Sequence, residues 1–425
     1  MISLSIDGLL GKTITPAMGI AESELTAMRT PVRRAIEQFL EERKEGDHAW
    51  GLDPYAKKVI AQVKETAAAV KRSRVETVLW LGIGGSGLGP KVLQEAFELP
   101  ASVEFVVVDT IDPAALKVIT DVVDWSKTLV VVVSKSGETL ETMSAFFLCW
   151  DRLKKARKAL AKDRVIAITD PKEGALKTFC LEQGIETLPI QPGVGGRYCI
   201  FSPVGLLPIA LLGGDVDAFV RGAKAMDTRC QSTVLEENPA ALLAASQWLL
   251  DTKKHYPIRV IMPYGHRLQS LGRWNQQLIA ESLGKAETQN PIPMAALGTQ
   301  DQHSLLQQWL AGPRRCWHLI VREKEHPELR LPEITDPAFR WLSKRSFGDL
   351  LDACAEGTAG ALTAQKRPHA MLTLDRLDEE NLGALFFLLL TEVVLLGKLY
   401  RLNPYGQPAV ELGKKRTRQI LGIDQ

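Results

Sequence analysis

Apolar positions in this chain come in short continuous runs separated by longer stretches of helical character. Thr77–Leu81, residues 103–108, Thr128–Val133 and residues 164–169 are rich in β-branched side chains and too short for helices, so they predict strands. Their apolar residues run on without polar alternation, the pattern of strands buried on both faces of a parallel sheet. Helical stretches lie between them, and loops containing Gly or Asp follow the strands, which predicts βαβ units. After Leu211-Leu212-Gly213-Gly214-Asp215 the pattern restarts, with strands expected at 258–262, 317–321 and 370–374 among long helices. The expected fold class is α/β, with two doubly wound parallel-sheet domains and additional helices at both ends. Residues 1–50 are expected to form a helical extension, with Arg33 to Glu41 its clearest amphipathic piece; 51–210 the first domain; and 211–425 the second, with a C-terminal helical segment.

Residues 382–400 are apolar enough, and nearly long enough, to resemble a membrane span. Glu392 lies inside the run and Lys398 near its end. Because a carboxylate within a bilayer is costly, the expectation is a buried core helix and no membrane partner.

Composition narrows the function classes. In 425 residues, 52 basic and 50 acidic side chains give a formal net charge of +2, so nothing favours nucleic acid or an anionic membrane surface as a partner. The six cysteines are scattered, with no C-x-x-C pair and no Cys/His grouping at metal spacing, which fits reduced thiols, a cytoplasmic protein and no metal site. The residues after Met1 lack the basic and apolar regions of a secretion signal, so none is expected.

Three loops carry the candidate chemistry. The strand Thr128–Val133 stops at Ser134-Lys135-Ser136-Gly137-Glu138-Thr139, a hydroxyl-rich turn before a helical run. Such a turn suits an anion, because helix N-terminal N–H groups and hydroxyls both donate to phosphate. An ordinary strand-to-helix turn with Ser136 as N-cap fits it equally well. Glu138 is expected in the first turn of the helix, where its charge favours the positive helix end and its side chain points away from a ligand. Gly82-Ile83-Gly84-Gly85-Ser86-Gly87 follows the first strand and satisfies G-x-G-x-x-G, which makes an NAD-dependent dehydrogenase a rival reading. Against it, Asp109 lies further downstream than that fingerprint expects, and a dinucleotide has no need of the second loop. Two neighbouring strands ending in such loops favour one small monophosphate. The third loop, Gly193-Val194-Gly195-Gly196-Arg197-Tyr198-Cys199, aims a guanidinium from a glycine-rich backbone.

These loops, followed by Gln277-Leu278-Ile279-Ala280-Glu281-Ser282-Leu283-Gly284-Lys285, Gly298-Thr299-Gln300-Asp301-Gln302-His303-Ser304 and Gln407-Pro408-Ala409-Val410-Glu411-Leu412-Gly413-Lys414, resemble the phosphoglucose isomerase family. The resemblance covers most of the chain and implies two sugar isomerase domains. It also implies interconversion of glucose 6-phosphate and fructose 6-phosphate by ring opening and a cis-enediol, in glycolysis and gluconeogenesis. Glu281 would be the base that moves the proton between carbons; its local sequence alone favours a helix glutamate paired with Lys285 at i+4, and only the resemblance reverses that reading. By the same resemblance His303 would open the sugar ring, with Lys414 assisting, and Arg197 would stabilise the enediolate. The phosphate would lie on Ser86, Ser134, Ser136 and Thr139, near Gly85 and the Lys135 backbone, with Gln277 and Gln407 lining the site. The resemblance implies no cofactor and no metal. It implies a homodimer in which His303 serves the partner's site. Cys199 stands where serine is usual, Gly193 where a polar or acidic residue is, and Gly406 where an Asp is common. An isomerase that also accepts mannose 6-phosphate and a noncatalytic sugar-phosphate-binding protein remain as further readings.

Overall fold

The computed structural model describes residues 2–97, 103–288 and 290–423. Its strands in chain order are β1 (Ile2–Ser5), β2 (Thr77–Leu81), β3 (Glu104–Val108), β4 (Thr128–Val133), β5 (Val165–Thr169), β6 (Glu186–Pro189), β7 (Ile258–Pro263), β8 (Ile292–Ala295), β9 (Cys316–Glu325) and β10 (His369–Arg376). They form two five-stranded sheets, ordered β3-β2-β4-β5-β6 and β1-β10-β9-β7-β8. All neighbours are parallel except β1, which runs antiparallel to β10 with Ile2 opposite Leu374. The α/β class with two parallel-sheet domains is as the apolar runs indicated. β2, β4 and β5 are buried at every position, because helices cover both faces of the sheet.

The chain departs from expectation at its edges. β1, β6 and β8 were not anticipated, and each is a four-residue strand at the edge of its sheet with only one or no buried position. Pro189 and Pro293 further weaken the signal of the last two, since proline suits edges alone. Near the N-terminus the chain forms the helices Glu22–Ala27 and Arg29–Lys44, while the first described residues extend the second sheet.

Strand order reverses at β2, with β3 on one side and β4 on the other, so the loops after β2 and β4 flank a crevice at the carboxyl edge of the sheet. The helix Gly85–Ala96 begins at that crevice, and the helix Gln269–Leu283 packs against it. Glu95, near the end of the first, accepts from the Ser270 backbone N–H (2.8 Å) and hydroxyl (2.6 Å) at the start of the second. This cap fixes how far the second helix reaches, and hence where Glu281 near its C-terminus arrives.

The apolar run is the buried helix Glu379–Tyr400, packed against Val216–Cys230 and Pro239–Thr252. Glu392 is fully buried and forms a two-pronged ion pair with Arg259 of β7, which also lies over the Trp317 ring at 5.4 Å. Burial raises the Glu392 pKa, against the pull of Arg259. A membrane-like composition here serves a core lined on all sides by protein.

Candidate active site

The crevice is a cleft of about 760 Å³ lined by all three loops, the end of the helix Gln269–Leu283 and the C-terminal segment. Gly85, Ser86, Ser134, Lys135, Ser136, Thr139, Arg197, Gln277, Glu281, Gln407 and Lys414 all face it. His303 does not.

The first loop owes its glycines to packing. A Cβ on Gly85 would stand 2.1 Å from the Gly196 carbonyl oxygen, so only glycine lets the first and third loops touch. Gly84 has φ +59° and a Cβ there would meet the Gln277 amide at 2.9 Å. The fingerprint spacing therefore brings Arg197 and Gln277 to the loop. Asp109, the acid a dinucleotide ribose would require, lies outside the cleft with Lys91 at 4.0 Å.

In the second loop the Ser134 hydroxyl accepts from the Gly137 N–H (3.0 Å) and lies 3.2 Å from the Thr139 hydroxyl. Lys135 reaches sideways to donate to the Val194 carbonyl at 3.2 Å, tying this loop to the third. Two expectations need correction. The N-cap position of the helix Leu140–Arg157 is Thr139, not Ser136, whose hydroxyl accepts from the Glu138 N–H at 3.2 Å. Glu138 is two residues short of the helix, at the rim of the cleft, 3.7 Å from Arg418; the acid of the first turn is Glu141. The turn is longer than its composition suggested, because Gly137 takes φ +75° and packs on Leu176.

The third loop turns into the short 3-10 helix Gly196–Phe201 and buries Arg197. All five of its N–H donors are engaged: Nε with the Ser282 hydroxyl (2.7 Å), Nη1 with Glu281 Oε2 (3.1 Å) and Gln407 Oε1 (3.0 Å), and Nη2 with the carbonyls of Pro404 (2.6 Å) and Gly406 (3.1 Å). Glu281 Oε1 accepts from Gln277 at 2.9 Å, so the carboxylate is held at both oxygens while about a third of the side chain stays open to the cleft. The i+4 pairing with Lys285 does not form. The helix ends at Leu283, and Lys285 instead donates to the carbonyls of Asn403 and Tyr405.

The departures from the family pattern have local explanations. The Cys199 thiol donates to the Gly196 carbonyl at 2.8 Å, as a serine hydroxyl would, and burial pushes its pKa up to about 12 so the proton stays on sulfur. Gly193 and Gly406 both have positive φ, +84° and +67°, where a side chain would be strained. Beside this loop lies a residue the sequence did not flag. Asp53 is buried, its Oδ2 meets no hydrogen-bond donor among the described residues, and burial pushes its pKa up to about 7. Tyr198 and Ser282, joined at 2.9 Å beneath Arg197, stand inside the quoted motifs, but nothing in the sequence assigned them a role.

His303 follows the 3-10 turn Gln300–Gln302, braced by Gln302 on Thr358 (2.7 Å) and by Asp301 on the Leu297 N–H (2.7 Å). Its imidazole is exposed and forms no hydrogen bond or ion pair among the described residues. Lys414 sits on the exposed helix Val410–Ile420, donating to Glu411 at 2.7 Å.

Residues 49–314 match the family model of phosphoglucose isomerase. The chain is 36% identical over 419 residues to a glucose-6-phosphate isomerase of Rubrobacter xylanophilus, covering 95% of each. Among solved structures it resembles a hypothetical protein of Thermus thermophilus, with TM-score 0.91 and 32% identity over 99% of this chain and 100% of that one. It shares its fold with a glucose-6-phosphate isomerase of Chlamydia trachomatis, with TM-score 0.86 and 22% identity over 99% of this chain and 88% of that one.

Proposed function

The chain belongs to the phosphoglucose isomerase family, and on that premise we propose that it interconverts glucose 6-phosphate and fructose 6-phosphate in this cleft. The observation that carries the reading is Glu281, braced at both carboxylate oxygens by Arg197 and Gln277, opening onto the same cleft as the serine- and threonine-rich loops.

The phosphate dianion sits where the helices Gly85–Ala96 and Leu140–Arg157 begin, taking donors from Ser86, Ser134, Ser136 and Thr139 and from backbone N–H groups. His303 and Lys414 open the ring by moving a proton from the anomeric hydroxyl to the ring oxygen. Glu281 then takes the C2 proton of the aldose and returns it to C1, while a proton passes between O1 and O2; the reverse direction uses the same groups. One carboxylate serves both carbons because it is aimed, and bracing at both oxygens is what aims it. Since each Arg197 N–H already has an acceptor, its part is to hold Glu281 and supply a fixed positive charge near the enediolate. A noncatalytic sugar-phosphate-binding protein would have no use for a base held in this way.

His303, exposed, outside its own cleft and without a side-chain bond among the described residues, supports a homodimer in which it completes the partner's site. Scattered unpaired cysteines support a cytoplasmic enzyme serving glycolysis and gluconeogenesis. The test is isomerase activity of the purified protein on both hexose 6-phosphates, with solvent tritium uptake during turnover. Glu281→Gln is expected to lose about 10²-fold to 10⁴-fold in kcat. Mixing Glu281→Gln with His303→Ala subunits is expected to restore part of the activity, because one of the two mixed sites is then intact. A fully active Glu281→Gln protein would rule out the assigned base, and mixtures no better than their components would rule out the shared site.

A further inference from the structure

Glu281 lies near the end of a helix that stops at Leu283, and the chain turns at Gly284 before Lys285. The Lys285 ammonium donates to the carbonyls of Asn403 (2.7 Å) and Tyr405 (2.6 Å). Arg197 donates to those of Pro404 (2.6 Å) and Gly406 (3.1 Å). Four successive carbonyls thus accept alternately from two cations. Two are needed because neighbouring carbonyls point to different sides of the chain. Both cations are tied to Glu281, Arg197 by a direct bond and Lys285 by the four-residue step along the backbone.

Beyond this clasp the chain has little else to place it. Of the described residues from Gly406 to Ile423, none is buried. Its other side-chain ties to the body are Arg197 to Gln407 (3.0 Å) and Arg418 to Glu138 (3.7 Å). Yet this stretch brings Gln407 and Lys414 to the cleft.

We propose that Lys285 is a positioning residue for the isomerase reaction, fastening the segment that presents Gln407 and Lys414 to the helix that carries Glu281. The inference rests on the isomerase reading above for its kinetic consequence, while the fastening itself is independent of it. Burial, with Arg197 close by, lowers the Lys285 pKa, and Glu281 offsets this in part. The lowering comes from partial removal from water and the neighbouring guanidinium, while the carbonyls that hold the ammonium favour its charged form. The Tyr405 hydroxyl, which accepts from Trp50 at 2.9 Å, anchors the root of the loop separately, so the root keeps a tie that does not depend on Lys285.

The test compares Lys285→Met and Lys285→Arg with the native protein. Lys285→Met is expected to lower kcat/KM by roughly tenfold to a hundredfold, the scale for a misplaced catalytic group, and Lys285→Arg to restore most of it. Amide hydrogen exchange is expected to quicken over residues 403–420 in Lys285→Met and to stay unchanged over Gln269–Leu283. In a Gln407→Ala/Lys414→Met background the same substitution is expected to change kcat/KM by less than about twofold, because the groups it places are gone. A loss in that background equal to the loss in the native protein, as a smaller folded fraction would give, overturns the proposal. So does unchanged exchange over 403–420. A native protein without isomerase activity overturns the function instead, and the exchange result still decides whether Lys285 holds the segment.

Discussion

Replacing Arg197 by lysine keeps the charge and tests whether the fork is what matters. The guanidinium serves five acceptors spread around its plane, and a lysine ammonium has three donors on one nitrogen, so at least two acceptors lose their partner. The bonds to the Ser282 hydroxyl and the Pro404 carbonyl are buried, where water cannot replace the missing donor. At about 1–3 kcal/mol for each buried group left unpaired, Arg197→Lys is expected to lose roughly 2–6 kcal/mol of stability. Glu281 loses its tether at one oxygen as well, and a base misaimed by about an ångström costs on the order of 10²-fold in kcat. Urea unfolding reports the first quantity and steady-state kinetics the second. An Arg197→Lys protein within about 1 kcal/mol of the native stability and within about threefold of its kcat would show that the five-bond network is not what holds the site.

Two further outcomes follow from buried charge. Glu392→Gln leaves Arg259 buried without its counter-ion and is expected to cost about 3–5 kcal/mol, whereas the double change Arg259→Met/Glu392→Leu recovers most of it; a double variant as unstable as the single one would refute this account. Asp53→Asn is expected to stabilise the protein in a pH-dependent way. Burial pushes the Asp53 pKa up to about 7, above its ordinary unfolded value, so this group's contribution to stability is fully present below about pH 4 and is lost as pH rises towards 7. Asparagine removes that loss, which amounts to on the order of 4 kcal/mol above pH 7 and vanishes near pH 4. Denaturation curves at pH 4.5 and 8 check it, and a stability difference independent of pH would remove the carboxylate as the cause.

Much of this molecule was legible in one dimension. Runs such as Thr128–Val133 are apolar throughout because both sheet faces are covered, and that requirement is written into every residue of the strand. Gly84 and Gly85 are glycine because backbone and the Gln277 amide approach them too closely for a side chain, so the loop that gathers the site could be found from its composition. The four-residue edge strands β1, β6 and β8 could not, since at most one position of each is buried and their residues answer to no single environment. Nor could the wiring: that Arg197 spends its donors on residues from Glu281 to Gln407, that Lys285 turns from its helical neighbour to a loop more than a hundred residues away, and that Glu392 finds Arg259. Local sequence determines which backbone conformations and which buried faces a segment accepts, because those are properties of a few adjacent residues. Which donor meets which acceptor across the core depends on how the two sheets and their helices pack, and only the tertiary structure decided it.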